Sequence, residues 1–256
     1  MDSPVGVIEG LRSRIARLER GHENACRQRV LPFGLPEIDD ALPGGGLAVG
    51  ALHEVSSAGG QGQHATAATL FIAGILARLS GQVIWLTERT DLYPPALTAV
   101  GLPPARVIFA EAGKAGIMQA AEDAVRARCL GGVVAEISGR LTMTASRRLQ
   151  LAAEQSGVTT LLLRRSRRPH DPATIAPSAA TSRWRVLSLP SPHPLPLALG
   201  PSPHAPDTPG LSRAWWRVDL LRCRGANNAA SWVVEGCDRA GHIARAKGPL
   251  QPTLAL

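Results

Sequence analysis

Lysine is nearly missing from this chain: only Lys114 and Lys247 occur, and arginine supplies the rest of a net charge of +8. Arginine forks suit phosphate, so the charge favours acidic partners, nucleic acid first. A composition rich in Arg, Ala, Gly and Pro together produces the same excess without any such partner. Cysteine is sparse and scattered. Cys26, Cys129, Cys223 and Cys237 form no C-x-x-C pair and have no neighbouring histidine cluster, which argues against a zinc site and a disulfide framework. No apolar run reaches the roughly 18 to 20 residues that cross a bilayer. The start, MDSPVGVIEGLRSR, lacks the apolar core of a secretory signal, so no membrane is expected and the cytoplasm is the expected location.

What is present is a globular composition, 45% apolar and 19% charged, over 256 residues. That length holds one α/β domain with an appendage, or two small domains. Ile8, Leu11, Ile15 and Leu18 form one stripe on an Arg-rich helix within residues 1–30, followed by a polar connector. From residue 31 to 189, apolar strands alternate with helices. Strands are predicted at 51–55, 83–87, 106–110, 132–137, 158–163 and 182–189. Helices are predicted at 64–80, 94–100, 116–130 and 142–156. This alternation predicts a doubly wound, mostly parallel sheet with helices on both faces. Residues 190–210 are proline-rich and predict an extended linker. Residues 211–256 then hold two β-rich runs across Gly225-Ala226-Asn227-Asn228, the pattern of a C-terminal β-hairpin and tail.

The first strand runs into a glycine-rich turn and then a helix, the order of parts in a phosphate-cradling loop. Laid on G-x-x-x-x-G-K-[ST], the eight positions run from Ser57 to His64 and contain Gly59, Gly60 and Gly62. Only the second template glycine survives, as Gly62. Neutral Gln63 stands in the lysine position, and His64 replaces the hydroxyl that would hold Mg²⁺. Ligands of such sheets sit beyond the carboxyl ends of the strands, where Glu54, Glu88 and Glu136 fall.

The lead-in Gly34, Leu35, Asp39, Leu42, Gly44-Gly45-Gly46 and Gly50, with a strand containing Glu54, resembles the entry to a RecA-like ATPase core. The degenerate loop, together with Arg222, Gly225, Trp232, Val234, Glu235, Cys237 and Asp238 near the C-terminus, resembles the ImuA family, RecA-like accessory proteins of bacterial translesion synthesis. The resemblance implies a RecA-like fold. It places Glu136 at the Walker B position, where Asp is usual, and Glu88 near that of the water-activating glutamate. It also implies an adaptor that makes and breaks no bond. Its partners would be an inactive Y-family-like polymerase homologue, an error-prone replicative-type DNA polymerase, RecA itself and DNA. No cofactor is expected; a residual ATP/Mg²⁺ site would use the loop with Glu88 and Glu136.

Two clusters are candidates for contact. Arg164, Arg165, Arg167 and Arg168, in LRRSRRP, would meet nucleic acid or an acidic partner. Trp215, Trp216, Arg222 and Trp232 would meet the polymerase-like partner. Trp215 and Trp216 are adjacent, so one should be core and the other an interface anchor. Removal of residues 211–256 is expected to leave the core folded. The alternatives are a RecA/RadA-type DNA-dependent ATPase with an atypical loop, and a SulA-like inhibitor of cell division.

Overall fold

Four segments, LHEVSS, QVIWLT, LGGVVAEIS and TTLLLRR, are buried at consecutive positions, as a strand is only when both of its faces are covered. A computed structural model describes residues 29–57, 64–89, 91–166, 176–191, 213–226 and 229–246, and places these four side by side in a nine-stranded sheet. In chain order the elements are β1 (Val30–Leu31), α1 (Pro36–Asp39), β2 (Leu47–Ala48), β3 (Leu52–Ser57), α2 (Ala65–Ala77) and β4 (Gln82–Thr87). Then come α3 (Pro95–Thr98), β5 (Val107–Glu111), α4 (Gly113–Arg126), β6 (Leu130–Ser138), α5 (Met143–Ser156) and β7 (Thr159–Arg165). The last strands are β8 (Ser182–Leu189), β9 (Trp215–Cys223), β10 (Ala230–Glu235) and β11 (Ala244–Arg245).

The sheet order is β11-β10-β9-β8-β3-β7-β6-β4-β5. Pairing is parallel from β8 through β5 and antiparallel from β8 outward to β11. The expected hairpin is therefore β9 and β10, and it continues the main sheet. Trp216, Val218, Leu220 and Val234 are buried in the same core as Phe71 and Val55. Loss of residues 211–256 would open that core, so the rest should not fold intact without them, contrary to the sequence-based expectation. The N-terminal helix within 1–30 and, apart from Pro190 and Ser191, the linker 190–210 lie outside the described residues.

Each face of the sheet has its own core. On one face α2, α3 and the lead-in cover Val55, Val83, Trp85, Val134, Leu161 and Leu163. On the other, α4 and α5 cover Leu52, Val133, Ala135 and Leu162. α5 is defined at both ends: the Thr142 side chain accepts from the Ala145 N–H at 3.2 Å, and Gly157 takes the left-handed conformation (φ 77°) that a helix C-cap needs. α4 starts and ends earlier than its sequence pattern predicts. It ends at Arg126, just before Arg128 adopts a positive φ of 55°.

The lead-in is tied down by Asp39, whose carboxylate accepts the N–H groups of Phe33 (2.6 Å) and Gly34 (2.9 Å). This seats Phe33 against Phe71 and Trp184, with ring centroids 5.9 and 5.4 Å away. Full burial of one such side chain contributes about 1.5–3 kcal/mol. Beneath them runs a closed polar chain. The Trp184 indole donates to Ser182 Oγ at 2.6 Å, Ser182 donates to His53 Nδ1 at 2.6 Å, and His53 Nε2 donates to the Ala48 carbonyl at 2.8 Å. Because a carbonyl only accepts, His53 is held as the neutral Nε2–H tautomer.

Candidate functional site

The carboxyl ends of β4, β6 and β7 meet beside the N-terminus of α2, where a RecA-like fold would handle a nucleotide. Register puts Glu136 on the same sheet face as Leu163 and Trp85, toward α2. Glu54 pairs with Leu162 and so points to the opposite face, against α5. Glu54 is buried there with the Arg183 guanidinium 3.4 Å away, and it is no part of a site with Glu136.

Both oxygens of Glu136 are engaged. Oε1 accepts from the Trp85 indole at 2.6 Å and Oε2 from Arg165 Nε at 2.8 Å. The same guanidinium reaches the Asp91 carboxylate at 3.1 and 3.3 Å. Glu136 is 3% exposed. Burial raises its carboxyl above the usual range, while the charge of Arg165 and the bonds from Trp85 and Arg165 oppose that rise. Glu88 is likewise occupied: the Ser138 N–H donates to one oxygen at 2.9 Å and the Ser138 hydroxyl to the other at 2.5 Å. The cleft among Thr87, Glu88, Asp91, Glu136 and Arg165 holds about 50 Å³. Ligand pockets commonly hold about 300 Å³ or more.

His64, at the head of α2, accepts the Ser188 N–H on Nδ1 at 3.0 Å and so ties the helix to β8. Partial burial lowers its pKa, keeping the ring an acceptor. Ser57 closes β3 in register with Val186. Gly59, Gly60, Gly62 and Gln63 lie outside the described residues. A Mg²⁺-nucleotide does not fit the residues seen here. Glu136 and Glu88, the acidic side chains expected to serve it, are already engaged by Trp85, Arg165 and Ser138.

The basic cluster is corrected in part. Arg164 is 2% exposed and donates to the Gly139 carbonyl at 2.6 Å, and Arg165 is committed to Glu136 and Asp91. Neither presents a fork to an outside phosphate. Arg167 and Arg168 lie outside the described residues. The tryptophan set divides as well. Trp215 and Trp216 are both buried, so neither stands out as the exposed anchor expected of one of them. Arg222 is turned away, donating to the Ser178 carbonyl at 3.2 Å. Trp215 and half-buried Trp232 line a groove of about 340 Å³ with Leu35, Ile38, Glu37 and Arg245, where β10 meets α1.

Protein ImuA of Caulobacter vibrioides (strain NA1000 / CB15N) is 38% identical over 224 residues, a span covering 83% of this chain and 85% of that protein. The chain belongs to the ImuA family. Protein ImuA of strain ATCC 19089 / CIP 103742 / CB 15 matches to the same extent. No protein-family model matches. The RadB recombinase crystal structure shares the fold of this ImuA-family chain, with a TM-score of 0.53, 15% identity, and coverage of 85% of this chain and 100% of that one. The parallel half of the sheet is thus RecA-like.

Sequence reasoning on this ImuA-family chain missed the Arg165–Glu136–Trp85 contact. A signal was available: in a parallel pair, residues of matching parity share a face, so Arg165 follows Leu163 onto the side of Glu136. It also missed Asp219, buried on β9, which accepts from Arg185 at 2.9 Å, Arg217 at 3.1 Å and Ser231 at 2.6 Å. Among the described residues no group of His, Cys, Asp and Glu is arranged to hold a metal, and no helix is long and apolar enough to cross a membrane.

Proposed function

We propose that this ImuA-family chain is a non-catalytic RecA-like adaptor in SOS-induced, error-prone translesion DNA synthesis. It binds a Y-family-like polymerase homologue and helps recruit an error-prone DNA polymerase. The observation that carries the non-catalytic reading is the Arg165 guanidinium on Glu136. Phosphoryl transfer depends almost wholly on positioned charge around the phosphates and their metal. Losing one preorganised contact of that kind costs on the order of 10²-fold in rate. Here an internal cation, Arg165, occupies Glu136, the helix N-terminus carries His64, and the loop sequence has Gln63 for lysine.

What remains for function is surface, and the groove at Trp232 supports the partner-binding part of the reading. It combines apolar walls with a Glu37–Arg245 ion pair, 3.2 Å, at its side. Aromatic anchors of this kind dominate protein interfaces. The test uses purified full-length protein. No Mg²⁺- and DNA-dependent phosphate release is expected, and Trp232→Ala is expected to weaken co-elution with the polymerase-like homologue at least tenfold. Phosphate release abolished by Glu136→Ala would overturn the non-catalytic reading. Unchanged co-elution of the folded Trp232→Ala variant would remove the groove from the interface.

A further inference from the structure

The outer face of α5 carries a row that its own fold does not use. Met143, Arg147 and Leu151 follow one another at four-residue spacing, which stacks them along one side of a helix. Met143 and Leu151 are each 48% exposed, among the largest apolar exposures of the described residues, while Leu149, Ala152 and Ala153 face the core. Two exposed aliphatic side chains flanking a cation on a rigid helix make a different surface from a solvated polar face.

Charge around the row is one-sided. Among the described residues no carboxylate lies within ion-pair distance of Arg140 or Arg147. Arg148 shares the single buried carboxylate of Glu122 with Arg126, so two guanidiniums stand on one acid. Glu154, on the next turn, is already paired with Arg224 and accepts from Gln150. The surface therefore offers two aliphatic knobs within an uncompensated positive field. α5 is capped at both ends, so little order has to be gained on binding.

We infer that the Met143–Arg147–Leu151 face of α5 docks an acidic amphipathic helical segment of a partner protein, apolar residues against Met143 and Leu151 and carboxylates toward Arg140 and Arg147. Such an occupant satisfies both features at once. A nucleic-acid backbone would use the arginines and leave the aliphatic pair in water. The face lies on the α4/α5 side of the sheet, whereas the Trp232 groove lies on the edge where α1 packs with the α2-side core, so the two do not overlap. The inference does not rest on the adaptor reading.

The test is fluorescence anisotropy on the full chain. The probe is a labelled synthetic peptide of about 18 residues, long enough to form a helix, with Leu at three- and four-residue steps and Glu between them. An order-scrambled peptide of the same composition and a short DNA duplex serve as competing probes. The patterned peptide is expected to bind at least about tenfold more tightly than the scrambled one. Arg147→Glu and the double change Met143→Ser/Leu151→Ser are each expected to weaken it about tenfold or more, the loss of one interface anchor. All of these side chains are exposed, so thermal melts should match the parent. Equal binding of both peptides would overturn the inference, as would unchanged affinity in either variant. So would DNA binding that responds to Arg147→Glu alone, which would make this a phosphate surface.

Discussion

Arg165→Met keeps most of the side-chain stem and removes the charge, which makes it the sharpest probe of the Glu136 cleft. Glu136 would be left with one partner, the Trp85 indole, at 3% exposure. Removing one member of a buried pair costs about 3–5 kcal/mol. Arg165 is 17% exposed and Asp91 43%, so solvent screens part of the field and the lower end applies, about 3 kcal/mol. For a chain of this size that is a fall in Tm of about 6–12 °C. The penalty has a pH signature. Burial already raises the Glu136 carboxyl above its unfolded value, so the fold holds a proton that the unfolded chain releases. The Glu136 contribution to stability thus falls as pH rises from the unfolded value through the folded one. Without Arg165 the folded value climbs further, so the variant should lose most near pH 7.5 and less near pH 5. Urea unfolding at those two pH values, with Glu136→Gln/Arg165→Met as the rescue, measures it. A loss under about 1 kcal/mol, equal at both pH values and not relieved by the glutamine, would refute the reasoning.

Three further outcomes follow from the packing. His53 is fully buried and its pKa is lowered to about 4 from 6.5, so its stabilising contribution is present above 6.5 and lost as pH falls toward 4. The loss is about 3 kcal/mol, and His53→Gln should flatten stability across that window in acid titration. Gly131→Ala would drive a Cβ into the Ser80 carbonyl, and unfolding curves should show a loss of about 3 kcal/mol or more. Cys129 is exposed, whereas burial pushes the Cys237 thiol up to about 12. In a Cys26→Ser background a thiol reagent near pH 8 should therefore label Cys129 rapidly and Cys237 only after unfolding.

The parallel half of the sheet was legible because runs such as VIWLT and VVAEI are apolar on both faces and are spaced by helical segments. Helix boundaries were less so. Gly113 and Gly116 look like helix breakers, yet α4 starts at Gly113 and runs through Gly116, and it stops at Arg126 ahead of the strained Arg128. The proline-rich stretch from 190 reads as a boundary, and composition carries no information about whether the strands beyond it return to the same sheet. They do return, because β8 leaves an edge that β9 completes with Trp216 and Val218 facing the core. In the candidate site the sequence puts Gln63 and His64 where a phosphate loop has a lysine and a hydroxyl. The Arg165–Glu136 contact was not legible, because LRRSRRP looks like a surface run until strand parity sends Arg164 and Arg165 to opposite faces.

The antiparallel extension has a consequence for biosynthesis. Trp216, Val234 and Ile243 complete a core whose other members, Phe33 and Phe71, are made 145 to 210 residues earlier at the ribosome. The nascent polypeptide cannot close this core until β9, β10 and Ile243 have been made, so a product terminated before them would emerge with an open apolar flank. Quality control by chaperones and proteases would then remove incomplete copies before they met any assembly, and only finished molecules would be delivered.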